Sequence, residues 1–323
     1  MNSPIMTKIT RVFIYMLLGA AAIISLLPLY WVFSTSLQLD AYQDEDLDAP
    51  ISYVEANPPK FVPAGIEEYF KHWRKARAAE KSGDQELANY HRKMMTEVVH
   101  NSFAMYMYLF NRTNIWRWFI NSAYIAFVVT LGILLIDTMS GYVLAKKQFP
   151  GRNLIFWVIV STMMIPGQVT LVPMFIMIQK LGLFDTHWAL ILPDLSMVFG
   201  VFLMRQFLLS IPSELLEAAK IDGAGEWKTF WTIVIPLAKP ALATLGIFTF
   251  MSVWNSFLWP IIVLNNADLY TLPVGLKTLQ DANLASFKLL MSGASLAAIP
   301  MIIIFLAFQR YFIKGLTLGG VKE

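Results

Sequence analysis

The chain of 323 residues is 57% hydrophobic and 15% charged, whereas soluble domains are roughly 45–50% apolar and about 25% charged. This composition excludes an ordinary soluble protein and makes a membrane protein the first hypothesis. The net charge of +3 gives no reason to expect nucleic acid as a partner, and the absence of cysteine excludes disulfide bonds and Cys-based metal sites.

Six stretches of the chain are long and apolar enough to form transmembrane helices, which need about 20 mostly apolar residues. In chain order they are 12–33, 118–145, 153–179, 188–209, 240–264 and 289–309. The second contains Asp137 and the fourth contains Asp194. Because the first stretch exceeds the roughly 7–15-residue apolar core of a signal peptide, we expect it to be retained as a membrane helix.

Basic residues orient these helices, because Lys and Arg in short loops accumulate on the cytoplasmic side. An even number of spans places both termini on one side. The basic residues that fall on that side are Lys8, Arg11, Lys146, Lys147, Arg152, Arg205, Lys220, Lys228, Lys239, Arg310, Lys314 and Lys322. The sequence therefore predicts cytoplasmic N- and C-termini, with 1–36 as an N-terminal transmembrane helix and 311–323 as a cytoplasmic tail.

Residues 37–116 differ in composition and fall on the extracytoplasmic side of this topology. An acidic run at 40–48 and a proline-rich run at 57–63 precede apolar residues at helical spacing, which are interrupted by Ser82-Gly83-Asp84. The pattern predicts a helical hairpin outside the membrane, serving as a structural cap or as a docking surface. Its histidines have no zinc-binding spacing, so we expect surface or packing roles. They are His72, His91 and His100.

The segment between the fourth and fifth predicted spans has the residues of a short helix outside the bilayer. Ser213 is suited to the N-cap position, and Gly223 can supply a left-handed stop. Glu214 and Glu217 place negative charge near the positive helix end. A helix of about nine residues is not stable alone in water, so we expect tertiary or subunit contacts to hold it.

This helix has features of a docking element. Ala218 and Ala219 are small enough to permit close approach to another surface, and Glu217 offers a carboxylate to a cation there. The alternative is an ordinary loop helix that rests on its own neighbours.

The same segment resembles the EAA loop of permeases in binding-protein-dependent ABC importers. The matching residues are Glu217-Ala218-Ala219, Gly223, Ile233 and Pro236. Other motifs are similar to the carbohydrate branch, specifically the maltose-type second permease. They are Asp222-Gly223-Ala224, Phe230, 236–242, 164–168, 181–183, Trp254-Asn255, 270–276 and 309–317. The resemblance covers residues 121–322 and leaves the hairpin out.

The resemblance implies an all-α polytopic membrane protein of the type I ABC importer permease fold, with six transmembrane helices and an extracytoplasmic helical insertion. Residues 117–310 would form a five-helix permease core that includes a coupling loop at 211–240. The coupling residues implied are Glu214, Glu217, Ala218, Ala219, Asp222 and Gly223.

The implied partners are a second permease subunit, an ATP-binding subunit dimer, an extracytoplasmic sugar-binding protein and membrane lipid, in a bacterial inner membrane. The chain itself would hold no cofactor, because ATP and Mg²⁺ would be bound by the partner ATPase. The sequence lacks a glycine-rich phosphate-binding loop, which agrees with a permease that is not an enzyme.

Four residues are candidates for lining a solute path. Trp254 and Asn255 combine an aromatic face with an amide, and packing or an interfacial aromatic belt is the alternative. Asp137 and Asp194 are intramembrane acids, which are costly in lipid and therefore candidates for function. The alternative for Asp137 is a place at a subunit interface. The alternative for Asp194, which follows Pro193, is to interrupt the fourth helix and to hydrogen-bond the backbone groups freed there. The rival functional hypothesis is a stand-alone secondary transporter or channel, which would not need a self-capped external helix. A membrane-embedded enzyme is disfavoured because metal and nucleophile motifs are lacking.

Overall fold

The computed structural model describes residues 4–37, 64–281 and 287–318 of the chain. The predicted acidic and proline-rich runs between residues 38 and 63, and the last residues of the predicted tail, 319–323, lie outside the described residues. The described helices are α1 (Pro4–Ser36), α2 (Ala64–Ser82), α3 (Gln85–Arg112), α4 (Ile115–Lys146), α5 (Arg152–Ser161), α6 (Gly167–Lys180), α7 (Trp188–Ile191), α8 (Val198–Leu209), α9 (Glu214–Ile221), α10 (Glu226–Thr229), α11 (Ile235–Leu237), α12 (Lys239–Trp254), α13 (Leu258–Val263), α14 (Leu272–Asp281) and α15 (Phe287–Leu318).

Four segments among the described residues are long and apolar enough to cross a membrane: Phe13–Ser36, Ile115–Lys146, Trp188–Leu209 and Lys288–Gln309. Two bent pairs raise the number to six if each pair is one span. The first pair is Arg152–Met164 with Gly167–Lys180, bent by 99°, and the second is Glu226–Leu237 with Lys239–Trp254, bent by 78°.

The first bend has a local cause in proline. Pro166 disfavours helical backbone at the residue before it, and Ile165 is accordingly extended, with φ −84° and ψ 115°. The fifth span also differs from the predicted 240–264, because α12 ends at Trp254 and a separate short helix, α13, follows after a break of three residues.

The chain forms two compact units, one from residues 1–113 with 276–298 and the other from 114–275 with 299–323. In the first unit, α2 and α3 form a hairpin that turns at Gly83, where φ is 81°. Asp84 begins α3 by accepting a hydrogen bond from the Leu87 N–H at 3.0 Å. Small buried side chains let the two helices approach closely; they are Ala76, Ala79 and Ala88.

Hydroxyl groups join α3 to the other helices of the first unit. The Tyr106 hydroxyl lies 2.7 Å from Ser36 Oγ at the end of α1 and 2.6 Å from Ser295 Oγ in α15. Ser292 Oγ also donates to the Ser36 carbonyl at 3.4 Å. The three serines are completely buried, so the cluster fastens the second half of α3 to the ends of two membrane spans.

In the second unit, α4 is the central helix and packs against α8 and α12. Buried apolar side chains of these helices form one core, which includes Val129, Ile133, Met204, Leu208 and Leu245. The first turns of α4 also hold the loop before α14. Trp118 Nε1 donates to the Ala267 carbonyl at 2.8 Å, and Asn121 Nδ2 donates to the carbonyls of Asp268 and Tyr270 at 2.8 and 3.0 Å.

Candidate functional site

The predicted docking helix is α9, which has eight residues rather than about nine and follows Ser213. Its end is as predicted, because Gly223 is left-handed with φ 75° and the Ala224 N–H donates to the Ala219 carbonyl at 2.9 Å. Its start is not. Ser213 has helical backbone, and its side chain forms no capping hydrogen bond. The predicted side-chain N-cap is therefore wrong, and Ser213 contributes its carbonyl, which accepts from Glu217 N at 3.0 Å.

The surface around α9 is largely apolar and carries charges of both signs, with Lys220 and Lys228 exposed among the carboxylates. Five of the six predicted coupling residues are exposed: Glu214, Glu217, Ala218, Asp222 and Gly223. Ala219 is 6% exposed and packs against the chain itself, so it seats α9 rather than facing a partner. Large apolar side chains stand exposed beside the carboxylates; they are Leu215, Ile221, Trp227 and Trp231. Exposed aromatic residues in such a cluster are typical of a protein–protein interface.

Two consecutive lysines at the end of α4 hold the chain on both sides of α9. Lys146 Nζ donates to the Ile211 carbonyl at 2.5 Å, and Lys147 Nζ contacts Glu226 Oε2 at 2.5 Å. The Tyr142 hydroxyl donates to the same carboxylate oxygen at 3.2 Å. The chain is therefore tied to the second membrane span both before α9 and after it.

These lysine contacts were missed at the sequence level, where Lys146 and Lys147 served only to orient the spans. They join residues 65 and 79 positions apart in the chain. The one sequence signal was that a Lys-Lys pair ends an apolar span while a lone glutamate, Glu226, stands just past the predicted helix.

Asp137 is buried completely in the middle of α4 and is fully engaged. Its carboxylate accepts from Ser196 Oγ at 2.8 Å and from the Met197 N–H at 3.1 Å. Ser196 and Met197 form the break between the 3₁₀ turn Leu192–Asp194 and α8. The Asp137 carboxylate thus accepts a hydrogen bond from a backbone N–H that has no intrahelical partner at this break. The contact joins α4 to the interrupted fourth span.

Asp194 was expected to interrupt the fourth helix and to bond the freed backbone groups. The interruption is present, but Asp137 from the neighbouring span makes those hydrogen bonds, and the Asp194 side chain is exposed. Gly200 is the second part of this arrangement. A Cβ atom at Gly200 would stand 2.1 Å from Asp137 Oδ2, so glycine is required for the carboxylate to reach the break.

Trp254 and Asn255 lie where α12 ends. Trp254 is 2% exposed, with its ring 5.4 Å from that of Phe119 and 5.8 Å from that of Phe250. Asn255 is exposed, and its Nδ2 donates to the Met251 carbonyl at 2.8 Å. The structure thus buries the aromatic member of the predicted pair and leaves the amide at an open helix end.

An apolar groove of about 350 Å³ lies between α4, α12 and α15. Its wall is made almost entirely of hydrocarbon and aromatic side chains, among them Phe127, Leu131, Phe250 and Phe308. A polar solute needs several hydrogen-bonding groups from its site, so this groove does not have the chemistry of a site for one.

A buried histidine pair in the hairpin was also missed at the sequence level. His72 on α2 and His91 on α3 place their Nδ1 atoms 2.9 Å apart, with both side chains buried. Burial lowers the pKa of His91 below its ordinary value of 6.5, and the charge of a protonated His72 lowers it further. The pair is an internal contact of the hairpin, as the packing interpretation of these histidines predicted.

A family model described as the binding-protein-dependent transport system inner membrane component matches residues 137–318. The chain is 42% identical over 222 residues to the arabinooligosaccharides transport system permease protein AraQ of Bacillus subtilis, covering 68% of this chain and 79% of that one. AraQ of Halalkalibacterium halodurans is 41% identical over 218 residues, covering 67% and 78%. The sn-glycerol-3-phosphate transport system permease protein UgpE of Yersinia pestis is 38% identical over 200 residues, covering 61% and 71%.

The crystal structure of a bacterial ABC transporter involved in the import of the acidic polysaccharide alginate contains a chain with the same fold. The TM-score is 0.69 at 22% sequence identity, and the match covers 97% of this chain and 99% of that one. The predicted permease family and the predicted helical membrane fold are therefore confirmed. The chain belongs to the family of inner membrane components of binding-protein-dependent transport systems, the permease subunits of ABC importers.

Proposed function

We propose that this permease carries a sugar or an oligosaccharide across the bacterial inner membrane by alternating access, driven by ATP hydrolysis in a partner subunit. Two relatives named as arabinooligosaccharide permeases support a carbohydrate cargo. A relative named as an sn-glycerol-3-phosphate permease makes a polyol phosphate the second candidate. The proposed assembly adds a second permease, an ATPase dimer that binds ATP and Mg²⁺, and an extracytoplasmic sugar-binding protein, with both termini of this chain in the cytoplasm.

The observation that carries the coupling part of the proposal is the geometry around α9. The exposed carboxylates and aromatic rings form a surface for an ATPase subunit, with Glu217 facing a cation there. Because Lys146 and Lys147 tie the flanks of α9 to α4, and α8 leads directly into it, a displacement of α9 by the ATPase would move both spans together. Transport then requires no covalent chemistry in this chain.

For the solute path we propose the two breaks in the fourth and fifth spans. Discontinuous membrane helices provide free backbone groups and commonly form substrate sites in transporters. Asp194 and Asn255 are exposed polar residues at these breaks, and Ser196, which donates to Asp137, is exposed at the first of them. Trp254 and Asp137 are both buried, so in this conformation their side chains do not face the proposed path. A stand-alone carrier would not need an exposed docking surface on the cytoplasmic side, so the surface around α9 gives that hypothesis no support.

The coupling proposal is tested by Glu217→Lys in the assembled complex. We expect normal insertion of the permease but loss of ATPase binding or of transport-coupled hydrolysis, because an unpaired interfacial charge costs about 2–5 kcal/mol. Co-purification of the ATPase and solute uptake in proteoliposomes measure both effects. Glu86→Lys is the matched control, since Glu86 is also an exposed glutamate in the first turn of a helix. A fully coupled Glu217→Lys complex overturns the assignment.

The cargo is tested by uptake in proteoliposomes that contain the complete complex. Arabinooligosaccharides, maltooligosaccharides and sn-glycerol 3-phosphate are compared as substrates. ATP-dependent uptake of either oligosaccharide supports the carbohydrate proposal. Uptake of only the phosphate ester supports the second candidate instead.

A further inference from the structure

The second half of α3 has the composition of a membrane-surface helix. Its first half carries charged residues on each turn, namely Glu86, Arg92, Lys93 and Glu97. From Val98 to Asn111 the sequence then contains no Asp, Glu, Lys or Arg. An uncharged, largely apolar run of about 10–14 residues is too short to span a bilayer and is typical of a buried or interfacial segment.

This half of α3 has two apolar faces, and only one of them is covered by the chain. Val98, Met105 and Leu109 are buried and pack inside the first unit. A second stripe, at spacings of four, four and three residues, is exposed: Val99 by 45%, Phe103 by 47%, Met107 by 43% and Phe110 by 47%. We name these four residues the α3 stripe. The outer face of a helix in water is normally polar, so the stripe requires an apolar environment.

The position of α3 places that environment at the edge of the bilayer. Tyr106, between two residues of the stripe, bonds to Ser36, the last residue of the span Phe13–Ser36, and to Ser295, about two turns inside the span Lys288–Gln309. The hydroxyl cluster therefore holds this half of α3 beside the end of the first span and the first turns of the second.

Chain connectivity gives the same location independently. The span Ile115–Lys146 begins five residues after Phe110, and five residues reach at most about 18 Å even when fully extended. Trp116, in the first turn of α4, is 60% exposed, and tryptophan is enriched at the membrane–water interface. Arg112 and Arg117 flank this point in the sequence.

We infer that the α3 stripe lies in the boundary between lipid headgroups and acyl chains, and that it anchors the hairpin to the bilayer surface. A lipid surface fits better than a protein partner because the stripe has no charged or hydrogen-bonding side chain, and protein interfaces normally carry such groups at their rim. Helices with one apolar face bury it roughly 5–10 Å into this boundary. The hairpin is then supported by lipid on one face and by span ends on the other.

The absence of cysteine in the chain makes a site-specific test direct. Single cysteines replace Val99, Phe103, Met107 or Phe110 in the complete complex, whose other subunits are made cysteine-free, and each carries a nitroxide label in nanodiscs. Leu87→Cys and Tyr90→Cys near the turn of the hairpin are controls, since these side chains are exposed by 45% and 55%. Retained solute uptake verifies that each labelled complex is folded.

Electron paramagnetic resonance compares collisions with oxygen, which concentrates in lipid, and with a nickel chelate, which stays in water. We expect the logarithm of the oxygen-to-nickel ratio to be positive for the stripe and negative for the controls. Nickel accessibility equal to that of the controls overturns the inference, because the stripe then faces water. Immobile labels that neither reagent reaches also overturn it, because a protein partner then covers the stripe.

Discussion

The proposed coupling helix α9 and the α2–α3 hairpin are both helical segments outside the membrane spans, but they are held in different ways. Ala219 is the buried residue of α9, and the contacts that fix the segment come from Lys146 and Lys147 on α4. The hairpin has an interior of its own, made by closely packed alanines and by the His72–His91 contact.

The way in which each segment is held determines whether it can transmit movement. A helix of eight residues with little interior of its own is not stable alone, so α9 must follow the spans to which its flanks are bound. The hairpin is stabilised by its own contacts and can keep its shape while other helices rearrange. The family match begins at residue 137 and includes α9 but not the hairpin, so α9 belongs to the part of the chain that matches the family and the hairpin lies outside it.

The largest predicted effect on folding stability comes from Gly200→Ala, which disrupts the contact between α4 and α8, the helix that leads into α9. The added Cβ would stand 2.1 Å from Asp137 Oδ2 and 3.2 Å from Asp137 Cβ. Overpacking of this kind costs about 1–3 kcal/mol and occasionally more. We expect a clear loss of folded, ATPase-competent complex, measured by thermal unfolding and by co-purification of the ATPase.

Gly167→Ala is the matched control for this prediction, because a Cβ at Gly167 meets nothing within 4 Å. Hydrogen exchange of the hairpin amides should be the same in both variants, since the hairpin does not depend on the α4–α8 contact. Equal stability of the two complexes contradicts the proposed role of Gly200.

The next largest effect separates the two intramembrane acids. Asp137→Ala leaves the Met197 N–H and the Ser196 hydroxyl without their acceptor, and such a loss costs about 1–3 kcal/mol. Asp194→Ala changes an exposed side chain and should alter stability by no more than about 0.5 kcal/mol. Thermal unfolding compares the two variants. If Asp194 lines the path, its variant should lose uptake without losing stability; similar losses of stability in both variants refute this division of roles.

Features that depend on neighbouring residues could be predicted from the sequence. The apolar spans, the stop of α9 at Gly223 and the hairpin turn at Gly83 are set by local composition and by backbone freedom at glycine. Pro166 also marks a bend locally, although the apolar pattern of 153–179 predicts one span without indicating the bend. The Ser213 cap failed because a helical backbone at that residue removes the geometry that a capping side chain needs.

Features that depend on pairing between distant segments could not be predicted. Asp137 reaches Met197 across 60 positions, and Lys147 reaches Glu226 across 79. Each residue has many possible partners in a polytopic protein, and the apolar pattern alone does not say which helices are adjacent. For the same reason the sequence treated both intramembrane acids alike, although packing gives them opposite exposures.

A smaller effect is expected for the ion pair beside α9. Lys147 and Glu226 side chains are 35% and 67% exposed, and exposed pairs contribute about 0–1 kcal/mol. Lys147→Glu or Glu226→Lys alone should reduce the amount of solute moved per ATP hydrolysed, because like charges then push the flank of α9 from α4. The double exchange should restore part of this coupling.

Exchange of Lys93 and Glu97 on α3, an exposed pair at 4.0 Å, is the control and should change nothing. A double exchange that is no better than either single variant contradicts a role for the Lys147–Glu226 ion pair in holding α9.

The smallest effect, confined to the hairpin, is a dependence on pH. Burial lowers the pKa of His91 below 6.5, and positive charge on His72 and Lys75 acts in the same direction. As the pH falls, unfolded His91 takes up a proton before the folded residue does. The hairpin therefore loses stability as the pH falls through 6.5 toward the folded pKa, whereas above 6.5 this contribution is complete.

Glu68 partly opposes this loss, because its Oε1 lies 3.4 Å from Nε2 of His72 and can pair with that ring once it is protonated. Hydrogen exchange of α2 and α3, corrected for the intrinsic rate at each pH, should show more opening at acidic pH than at neutral pH, with no matching change in α9. His91→Asn should remove the dependence, because an amide can bond to His72 without titrating. His100→Asn should keep it, since His100 is exposed and lies outside the pair. An unchanged pH dependence in His91→Asn would show that another group controls the stability of the hairpin.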